Sequence, residues 1–264
     1  MSLKNKVFWI TGASSGIGKS LVIELSKYEV NLILSSRNLT ALTAVKAQCK
    51  NPSDVQILTL DLEDYENLQP KVVEALSFFG RIDVLINNGG VSQRSLAKDT
   101  SIAVDKKLMD VNYLGTVALT KALLPHFIEN KNGHFVVTTS IVGKVATPMR
   151  SSYSASKHAL HGFFDALRAE HFNDNISVTL ICPGFVATDV SKNALTGDGS
   201  KQNKMDESTA NGIHPDRFAK LMFKAIKSKK EEAYIGGLKE RFSVYVKRYY
   251  PKLVSRLIRK WKVT

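Results

Sequence analysis

Short apolar runs alternate with segments of helical period along most of the chain. The runs at 6–11, 31–36, 55–60, 82–87, 134–140, 176–181 and 232–235 are strand-like. Between them, the segments at 16–28, 39–48, 64–79, 102–129, 152–172 and 215–228 repeat their apolar positions with the period of a helix. This alternation predicts βαβ units and a mainly parallel sheet of seven strands.

Two of the predicted strands, 84–86 and 178–181, are largely apolar rather than alternating. A sheet that is covered by helices on both faces requires such strands. We therefore expect an α/β doubly wound sandwich, with residues 1–237 as a single catalytic domain.

The stretch 191–212 breaks this pattern, because it is polar, has little periodicity and contains Gly197, Gly199 and Gly212. Long irregular loops are either functional or disordered. We expect a mobile lid over a substrate at the carboxyl edge of the sheet, with a disordered insertion as the alternative.

The 264 residues have the composition of a globular domain, with 44% hydrophobic and 23% charged residues. The two cysteines, Cys49 and Cys182, lack the spacing of a disulfide framework or a zinc site. No apolar run approaches the roughly 18 residues that span a bilayer, and the N-terminus does not resemble a signal peptide. We therefore expect a cytoplasmic protein without a membrane anchor.

Basic residues are concentrated at the C-terminus. Residues 238–264 contain nine Lys or Arg against the single acid Glu240, so this extension contributes +8 of the formal net charge of +13. After Pro251, apolar residues recur at helical spacing: Leu253, Val254, Leu257, Ile258 and Trp261. Two interpretations of this basic amphipathic extension remain open: peripheral contact of residues 251–264 with an anionic membrane surface, or packing against the body or a partner subunit.

A glycine-rich turn follows the first predicted strand and opens the first helix. It reads Thr11-Gly12-Ala13-Ser14-Ser15-Gly16-Ile17-Gly18. Glycines at these positions allow a tight turn and a close approach of the backbone, so that the helix N-terminus can face a pyrophosphate. The position between a strand and a helix favours a dinucleotide site over an incidental turn.

The end of the second strand indicates which dinucleotide is bound. An acidic residue in this register would hold the ribose 2′-hydroxyl of NAD, but the run Ser35-Ser36-Arg37-Asn38 has no acid. The guanidinium of Arg37 matches the geometry of a 2′-phosphate, and Ser36 adds a hydroxyl. The sequence therefore predicts NADP(H).

Two further strand ends carry polar or small residues. Asp61-Leu62 ends the third strand, and Asn87-Asn88-Gly89-Gly90 ends the fourth. Parallel strands bring their carboxyl ends to one edge of the sheet, so we expect both groups beside the dinucleotide.

The strongest chemical pattern combines Ser140, at a strand end, with Tyr153 and Lys157 at the start of a helix. A spacing of four places Tyr153 and Lys157 on one helical face. A phenol with a pKa near 10 needs a nearby cation to act as an acid or base at neutral pH, and Lys157 supplies one. Ser140 would donate to the substrate oxygen, and Asn112 would hold a water that relays protons to Lys157.

These motifs together resemble the short-chain dehydrogenase/reductase family over about residues 4–237, and the dehydrogenase/reductase member 7B-type branch within it. The resemblance implies a Rossmann-type fold and an Asn-Ser-Tyr-Lys catalytic tetrad on Asn112, Ser140, Tyr153 and Lys157. It also implies a Pro-Gly turn after the sixth strand at Pro183-Gly184, with Thr188 on the nicotinamide carboxamide. One departure is Gly89, where the family usually has alanine. The expected cofactor-binding residues are Gly12, Ser14, Ser15, Gly16, Ile17, Gly18, Ser36, Arg37, Asn38, Asp61, Leu62, Asn88, Gly89, Gly90, Tyr153, Lys157, Pro183, Gly184, Val186 and Thr188.

The resemblance implies an NADP(H)-dependent oxidoreductase acting on a carbonyl or secondary alcohol, with a lipid-, steroid- or retinoid-like apolar substrate. It also implies a homo-dimer or homo-tetramer, and we expect no nucleic-acid partner. A second hypothesis is a non-catalytic NADP(H)-binding sensor or scaffold that docks through its basic tail. His158 and His161 lie close together on the catalytic helix, but their spacing and surroundings do not favour a metal site.

Overall fold

The computed structural model describes residues 3–259, which form a single seven-stranded sheet with helices on both faces. All neighbouring strands are parallel, in the order β3-β2-β1-β4-β5-β6-β7. The strands are β1 (Lys6–Thr11), β2 (Val30–Ser36), β3 (Val55–Thr59), β4 (Val84–Asn87), β5 (Gly133–Thr138), β6 (Ile176–Pro183) and β7 (Glu232–Ile235). The predicted doubly wound α/β fold is therefore confirmed, and the sheet is wholly parallel rather than mainly so.

The helices follow the predicted order with shorter bounds. They are α1 (Gly16–Leu25), α2 (Leu39–Lys46), α3 (Leu68–Phe79), α4 (Ile102–Met109), α5 (Gly115–Glu129), α6 (Ser151–Glu170), α7 (Glu207–Ala210), α8 (Pro215–Lys227), α9 (Leu238–Tyr249) and α10 (Pro251–Ile258). The helix expected over 102–129 is divided, because one π-helical segment, Asp110–Leu114, separates α4 from α5. Such segments occur frequently at functional sites.

Two apolar cores lie on opposite faces of the sheet. In β1, Phe8 and Ile10 pack into one core, while Val7 and Trp9 pack into the other, as the two-residue repeat of a strand requires. Helices α1, α2 and α8 cover the first face, and α3, α5 and α6 cover the second. Helices therefore shield both faces of the sheet from solvent, which explains why the strands are largely apolar.

The strand order reverses direction at β1, so β2 and β4 lie on either side of it. Connections leave the sheet in opposite senses at such a point, and a crevice opens at the carboxyl ends of the strands. The turns after β3 and β4 line this crevice, as predicted, together with the turns after β1 and β5.

The stretch 191–212 is more structured than the sequence suggested. It contains the short helix α7, and Leu195 pairs with Gln93 and Lys201 through isolated bridges. Ser191, Ala194 and Asp206 are buried. A disordered insertion would not form these contacts. That the stretch is a mobile lid stays a prediction.

The C-terminal extension forms α9 and α10, which contact each other. Val254 is buried and Ile258 is half-buried, whereas Leu253 and Leu257 remain exposed. One part of the apolar face of α10 is thus covered by the protein, and the other part is exposed to solvent. Trp261, Lys260 and Lys262 lie outside the described residues. Within 3–259, no helix has both the length and the apolarity to cross a membrane.

Candidate active site

One cavity of about 700 Å³ runs along the carboxyl edge of the sheet. It joins the glycine-rich turn after β1 to the start of α6. Every predicted site residue lines this cavity except Gly18 and Asn112. The sequence-based set is therefore brought together in one place.

The glycine-rich turn depends on the absence of side chains. Gly12 and Gly16 adopt positive φ values of 63° and 53°, which residues with a Cβ rarely adopt. A Cβ on Gly18 would lie 2.2 Å from the carbonyl oxygen of Gly12. The turn consequently brings backbone to backbone and presents the N-terminus of α1 to the cavity, which fits a pyrophosphate.

Asn88 fixes this turn to the end of β4. Its amide nitrogen donates to the carbonyl oxygens of Thr11 (3.2 Å) and Gly12 (3.3 Å), and its amide oxygen accepts from Thr138 (3.2 Å). The hydroxyl of Thr11 accepts from the backbone N–H groups of Asn88 and Gly89, both at 3.0 Å. These hydrogen bonds connect the carboxyl ends of β1, β4 and β5 to one another.

The glycine at position 89 has a local explanation. A Cβ added there would lie 2.6 Å from Cδ1 of Leu62, in the turn after β3. The Leu62 side chain thus occupies space that a side chain at position 89 would need.

The end of the cavity beside β2 and β3 is lined by Arg37, Asn38 and Asp61. The guanidinium of Arg37 is largely exposed and lies 3.7 Å from a carboxylate oxygen of Asp61. Asn38 accepts from Ala41 N–H at 3.0 Å and so caps α2, while the hydroxyl of Ser36 accepts from Asn38 N–H at 3.2 Å. An exposed cation with a hydrogen-bonded polar turn beside it fits a phosphate at this position.

The opposite wall is formed by the turn after β6. Thr188 lies across from the glycine-rich turn, since a Cβ on Gly16 would be 3.3 Å from its methyl carbon. Gly184 leaves room for the Glu240 carboxylate, and the N–H of Gly184 donates to Ile235 O at 2.9 Å. Pro183, Gly184, Val186 and Thr188 all line the cavity, and their assignment to the nicotinamide stays a prediction.

Tyr153, Lys157 and Ser140 converge at the cavity wall. The Tyr153 hydroxyl is hydrogen-bonded to Ser140, and the ammonium of Lys157 lies 5.8 Å from the centre of the Tyr153 ring. Burial raises the pKa of Tyr153, while the bond with Ser140 and the positive charge of Arg150 act against this shift. The Tyr153 hydroxyl, a hydrogen-bonding serine and a cation are therefore brought together in space.

Lys157 is buried and donates to the carbonyl oxygen of Thr138 at 2.8 Å. Burial lowers its pKa to about 8. At neutral pH the side chain therefore remains predominantly an ammonium.

Asn112 does not line the cavity, but it hydrogen-bonds to segments that do. Its side chain exchanges two hydrogen bonds with the backbone of Val91 (2.8 and 2.9 Å) and donates to Ser156 at 3.1 Å. Its amide oxygen and the Lys157 ammonium both border Gly90, where a Cβ would lie 2.9 Å from the oxygen and 3.6 Å from the nitrogen. These contacts join the π-helical segment to the turn after β4 and to α6, and the predicted water relay stays a prediction.

Sequence reasoning missed three charged residues beside this centre. Arg94 and Arg150 line the cavity, and Asp206 is buried against both. Arg94 and Asp206 are 112 positions apart, so no local spacing could reveal the pair.

The sequence did not favour a metal site at His158 and His161, and in the structure these two side chains have different partners. His161, Cys182 and Glu232 have ligand atoms within 4.8 Å of one another, whereas His158 bonds to the carbonyl oxygen of Ser154. Lys144 lies 2.9 Å from the Glu232 carboxylate, and burial raises the pKa of Cys182 to about 12. Lys144 and Glu232 thus form an ion pair at the edge of this cluster.

Comparison with known proteins agrees with this geometry. The family model described as short chain dehydrogenase matches residues 6–198. Dehydrogenase/reductase SDR family member 7B of Mus musculus is 41% identical over 261 residues, covering 97% of this chain and 81% of the relative. Dehydrogenase/reductase SDR family member 7 of Homo sapiens is 41% identical, covering 94% of this chain and 75% of the relative. The sequence-based resemblance to the member 7B-type branch is thus confirmed.

Solved structures share the fold. A short-chain dehydrogenase from Streptomyces avermitilis superposes with a TM-score of 0.80 at 25% identity, covering 96% of this chain and 98% of its own. An alcohol dehydrogenase from Thermococcus sibiricus, complexed with 5-hydroxy-NADP, has a TM-score of 0.76 at 26% identity, covering 89% and 97%. A Burkholderia phymatum enzyme in complex with NAD has a TM-score of 0.84 at 22% identity, covering 96% of each chain.

Proposed function

Because the chain belongs to the short-chain dehydrogenase/reductase family of oxidoreductases, we propose that it transfers a hydride between NADP(H) and a carbonyl or secondary alcohol. The observation that carries this proposal is the convergence of Ser140, Tyr153 and Lys157 on the cavity that begins at the glycine-rich turn. A purely structural Tyr and Lys pair on a helix face would not need Ser140 or an adjoining dinucleotide cleft.

The residues divide the reaction between them. When bound, NADPH supplies the hydride that the carbonyl carbon accepts. Tyr153 donates its hydroxyl proton to the carbonyl oxygen, and Lys157 stabilises the phenolate that remains. Ser140 donates a hydrogen bond to the same oxygen as its negative charge develops. In the direction of alcohol oxidation, the Tyr153 phenolate takes the proton back.

The choice of NADP(H) rests on this chain's own residues. The similar structures include one with NAD and one with 5-hydroxy-NADP, so the shared fold accommodates either type of cofactor. Arg37 is the basic residue at the end of β2, where an NAD enzyme would carry an acid. The carboxylate of Asp61 lies 3.7 Å from the guanidinium of Arg37 and can orient it. Asp61 follows β3, so it does not stand at the end of β2, where an NAD enzyme carries its acid.

The substrate end of the cavity has an apolar side. Val142, Val145 and Leu195 line it, and Tyr153 packs against the small apolar cluster of Val104, Leu108 and Leu195. Leu195 belongs to the stretch 191–212, so the proposed lid contributes to the cluster against which Tyr153 packs. These contacts support a substrate with an apolar body, such as a lipid-, steroid- or retinoid-like carbonyl compound.

The test is NADPH consumption against a panel of ketones and aldehydes, with the alcohol product quantified. We expect at least one apolar carbonyl compound to be reduced with one NADPH consumed per alcohol formed. Binding of NADPH without reduction of any carbonyl compound, and without oxidation of any matching alcohol, would favour the alternative of a sensor or scaffold.

Helices α9 and α10 support contact with an anionic membrane surface. Their large apolar side chains are exposed: Leu238, Phe242, Tyr245, Tyr249, Tyr250, Leu253 and Leu257. Basic residues of the same helices, among them Lys252 and Arg256, would attract anionic headgroups. Glu240 and Ser243 of α9 also line the cavity, so this surface adjoins the proposed active site.

Vesicle sedimentation tests this surface. We expect binding to vesicles that contain phosphatidylserine, weaker binding to pure phosphatidylcholine, and a loss in the double variant Leu253→Ser, Leu257→Ser. Ile102→Ser removes an exposed apolar residue from another surface and serves as the control. Unchanged binding of the double variant would favour the alternative, in which the apolar side chains of α10 pack against a partner subunit. The partner subunit would then belong to the expected homo-dimer or homo-tetramer.

A further inference from the structure

The C-terminal extension, residues 238–264, contains a single acid, Glu240. Its neighbours Lys239 and Arg241 are exposed, whereas Glu240 is half-buried and lines the cavity. A carboxylate is ordinarily found at the surface, and more so among basic residues that attract it there. The inward position of Glu240 therefore indicates a role in the body of the protein.

The carboxylate of Glu240 lies against three glycines that follow two strands. A Cβ on Gly184, after β6, would be 2.1 Å from Oε2 of Glu240, and a Cβ on Gly236, after β7, would be 2.5 Å from the same oxygen. The backbone N–H of Gly237 donates to this oxygen at 2.5 Å. Side chains at the first two positions would displace the carboxylate, so its position depends on glycine at both.

The turns after β6 and β7 are joined to each other as well as to Glu240. The N–H of Gly184 donates to Ile235 O at 2.9 Å, and a Cβ on Gly236 would be 3.1 Å from Cα of Gly184. The two backbones therefore approach closely, and the Glu240 carboxylate contacts both. Because Glu240 belongs to the first turn of α9, it connects that helix to the turn after β6.

The turn after β6 contacts the proposed donor Ser140. The hydroxyl of Ser140 donates to Pro183 O at 3.4 Å, besides its hydrogen bond with the hydroxyl of Tyr153. Helix α9 also contacts the segment Ile141–Gly143, which follows Ser140 directly. Ser140 thus lies between two segments that α9 contacts: the turn that continues from it, and the turn that accepts its hydrogen bond.

Helix α9 buries little apolar surface that could hold it in this place. None of its side chains, all of which belong to the described residues, is buried. Phe242 and Tyr249 are largely exposed, and Tyr245 meets the ring of Tyr234 with 6.3 Å between the ring centres. Elements with few buried apolar contacts open easily. The contacts of Glu240 are therefore important for keeping the start of α9 against the cavity.

We propose that Glu240 is a positioning residue: it holds the turn after β6 against α9, and thereby holds Ser140 where it can donate to the substrate oxygen. This inference rests on the proposed reductase function. A misplaced donor stabilises the developing negative charge less well, which slows the chemical step. The catalytic unit then extends beyond residue 237, the boundary expected from the sequence, and includes the start of α9.

The first test measures kcat for carbonyl reduction per NADPH-binding site. The sites are counted by titration, so a smaller folded fraction does not affect the value. We expect Glu240→Ala to lower this kcat by about tenfold or more, because the donor is misplaced. Glu240→Gln keeps an acceptor for the N–H of Gly237 and should retain most of the activity, as either residue serves at this position of a helix. Lys239→Ala changes an exposed neighbour on α9 and should leave kcat unchanged.

The second test asks whether Glu240 acts through Ser140. The loss of one hydrogen-bond donor leaves residual activity that can be measured in Ser140→Ala. In this background, Glu240→Ala should lower kcat by less than about twofold, because the donor that Glu240 positions is already absent. A role that does not involve Ser140 would lower kcat by the same factor in both backgrounds.

Hydrogen exchange followed by mass spectrometry tests the contact without a substrate. Peptides that contain Gly184 should exchange about tenfold faster in Glu240→Ala than in wild type, as the loss of one polar contact to a charged group implies. If Glu240 only caps α9, exchange should increase at residues 238–241 and not at Gly184.

The outcomes separate the positioning role from the proposed function. If wild type reduces a carbonyl compound and Glu240→Ala retains its kcat per site, the positioning role is wrong and the reductase function stands. The same conclusion follows if both backgrounds lose the same factor, or if exchange at Gly184 does not change. Equal losses in Glu240→Gln and Glu240→Ala would also overturn the positioning role, because the effect would then depend on the charge and not on the contact. A wild-type protein that neither reduces carbonyl compounds nor oxidises their alcohols would overturn both proposals.

Discussion

The side-chain oxygen of Gln93 accepts hydrogen bonds from the backbone N–H groups of Ser152 (3.0 Å) and Tyr153 (3.2 Å). The first N–H groups of a helix have no partner within it, and Gln93 supplies one for α6. Its amide nitrogen donates to Thr100 (3.0 Å) and Ser151 (3.3 Å), and the side chain is fully buried. The segment after β4, which adjoins the dinucleotide cleft, thus also positions Tyr153, the proposed proton donor.

Replacing this contact should disturb both stability and catalysis. We expect Gln93→Ala to lower the free energy of unfolding by about 2 kcal/mol, because two buried N–H groups lose their acceptor. Misplacement of Tyr153 should lower kcat by about tenfold or more. The dissociation constant for NADPH should change little. Denaturant unfolding, steady-state kinetics and NADPH titration measure the three effects.

Gln48→Ala is the matched control, since the amide of Gln48 bonds to Ala44 O on an exposed face of α2. It should leave kcat unchanged. If Gln93→Ala lowers stability but leaves kcat unchanged, Gln93 has no positioning role.

Lys157 should make the protein less stable at neutral than at alkaline pH. Its pKa is about 8 in the folded protein, against 10.5 as the ordinary value, so the unfolded chain binds more protons between these limits. The contribution of Lys157 to the free energy of unfolding therefore rises with pH across this window. We expect Lys157→Met to be inactive, and more stable than wild type at pH 7 by up to about 3 kcal/mol.

This stability gap should narrow steadily as the pH is raised from 8 towards 10. Chemical denaturation of both proteins at several pH values measures it. A gap that does not change with pH would show that the buried charge of Lys157 is not the cause.

His134 should contribute to acid sensitivity. It is buried in β5, its Nε2 lies 2.8 Å from the hydroxyl of Thr179, and burial lowers its pKa to about 3. The unfolded chain is protonated at this residue below about pH 6.5, so stability is lost as pH falls from there towards 3. Between pH 7 and pH 4, His134→Leu should lose about 3 kcal/mol less than wild type.

His214→Leu provides the control, because this side chain is largely exposed. Its stability profile against pH should match that of wild type. Identical acid limbs for His134→Leu and wild type would contradict the assignment.

Arg37 should determine the cofactor preference. We expect wild type to bind NADPH more tightly than NADH, and Arg37→Ala to reduce this ratio by about tenfold or more, because a charge-assisted contact to the 2′-phosphate is lost. Fluorescence titration with both cofactors measures the ratio, and Arg217→Ala controls for the loss of a positive charge. Equal affinities in wild type would refute the predicted preference.

Much of the fold followed from the periodicity of the sequence. The seven strands of the structure match the predicted runs, because helices on both faces require apolar strands with helical segments between them. The cofactor cleft could also be predicted, since parallel strands place consecutive turns at one edge. Gly12, Asn88 and Tyr153 therefore meet although they are far apart in the chain.

What could not be predicted depends on contacts between irregular segments. Gln93 and Leu195 pair through a bridge without any repeating pattern, and Arg94 meets Asp206 across the same junction. A single arginine in a sequence is ordinarily a surface residue. The π-helical segment around Asn112 was missed because its apolar spacing continues that of the flanking helices.

The proposed reaction depends most on Tyr153 as the group that transfers the proton. The most direct measurement is kcat/KM of wild type and Tyr153→Phe with the best carbonyl substrate and NADPH, alongside NADPH binding by both. We expect the variant to bind NADPH within about tenfold of wild type but to lose about a thousandfold in kcat/KM, as the loss of a general acid implies. A Tyr153→Phe variant that reduces the carbonyl as fast as wild type would contradict this account.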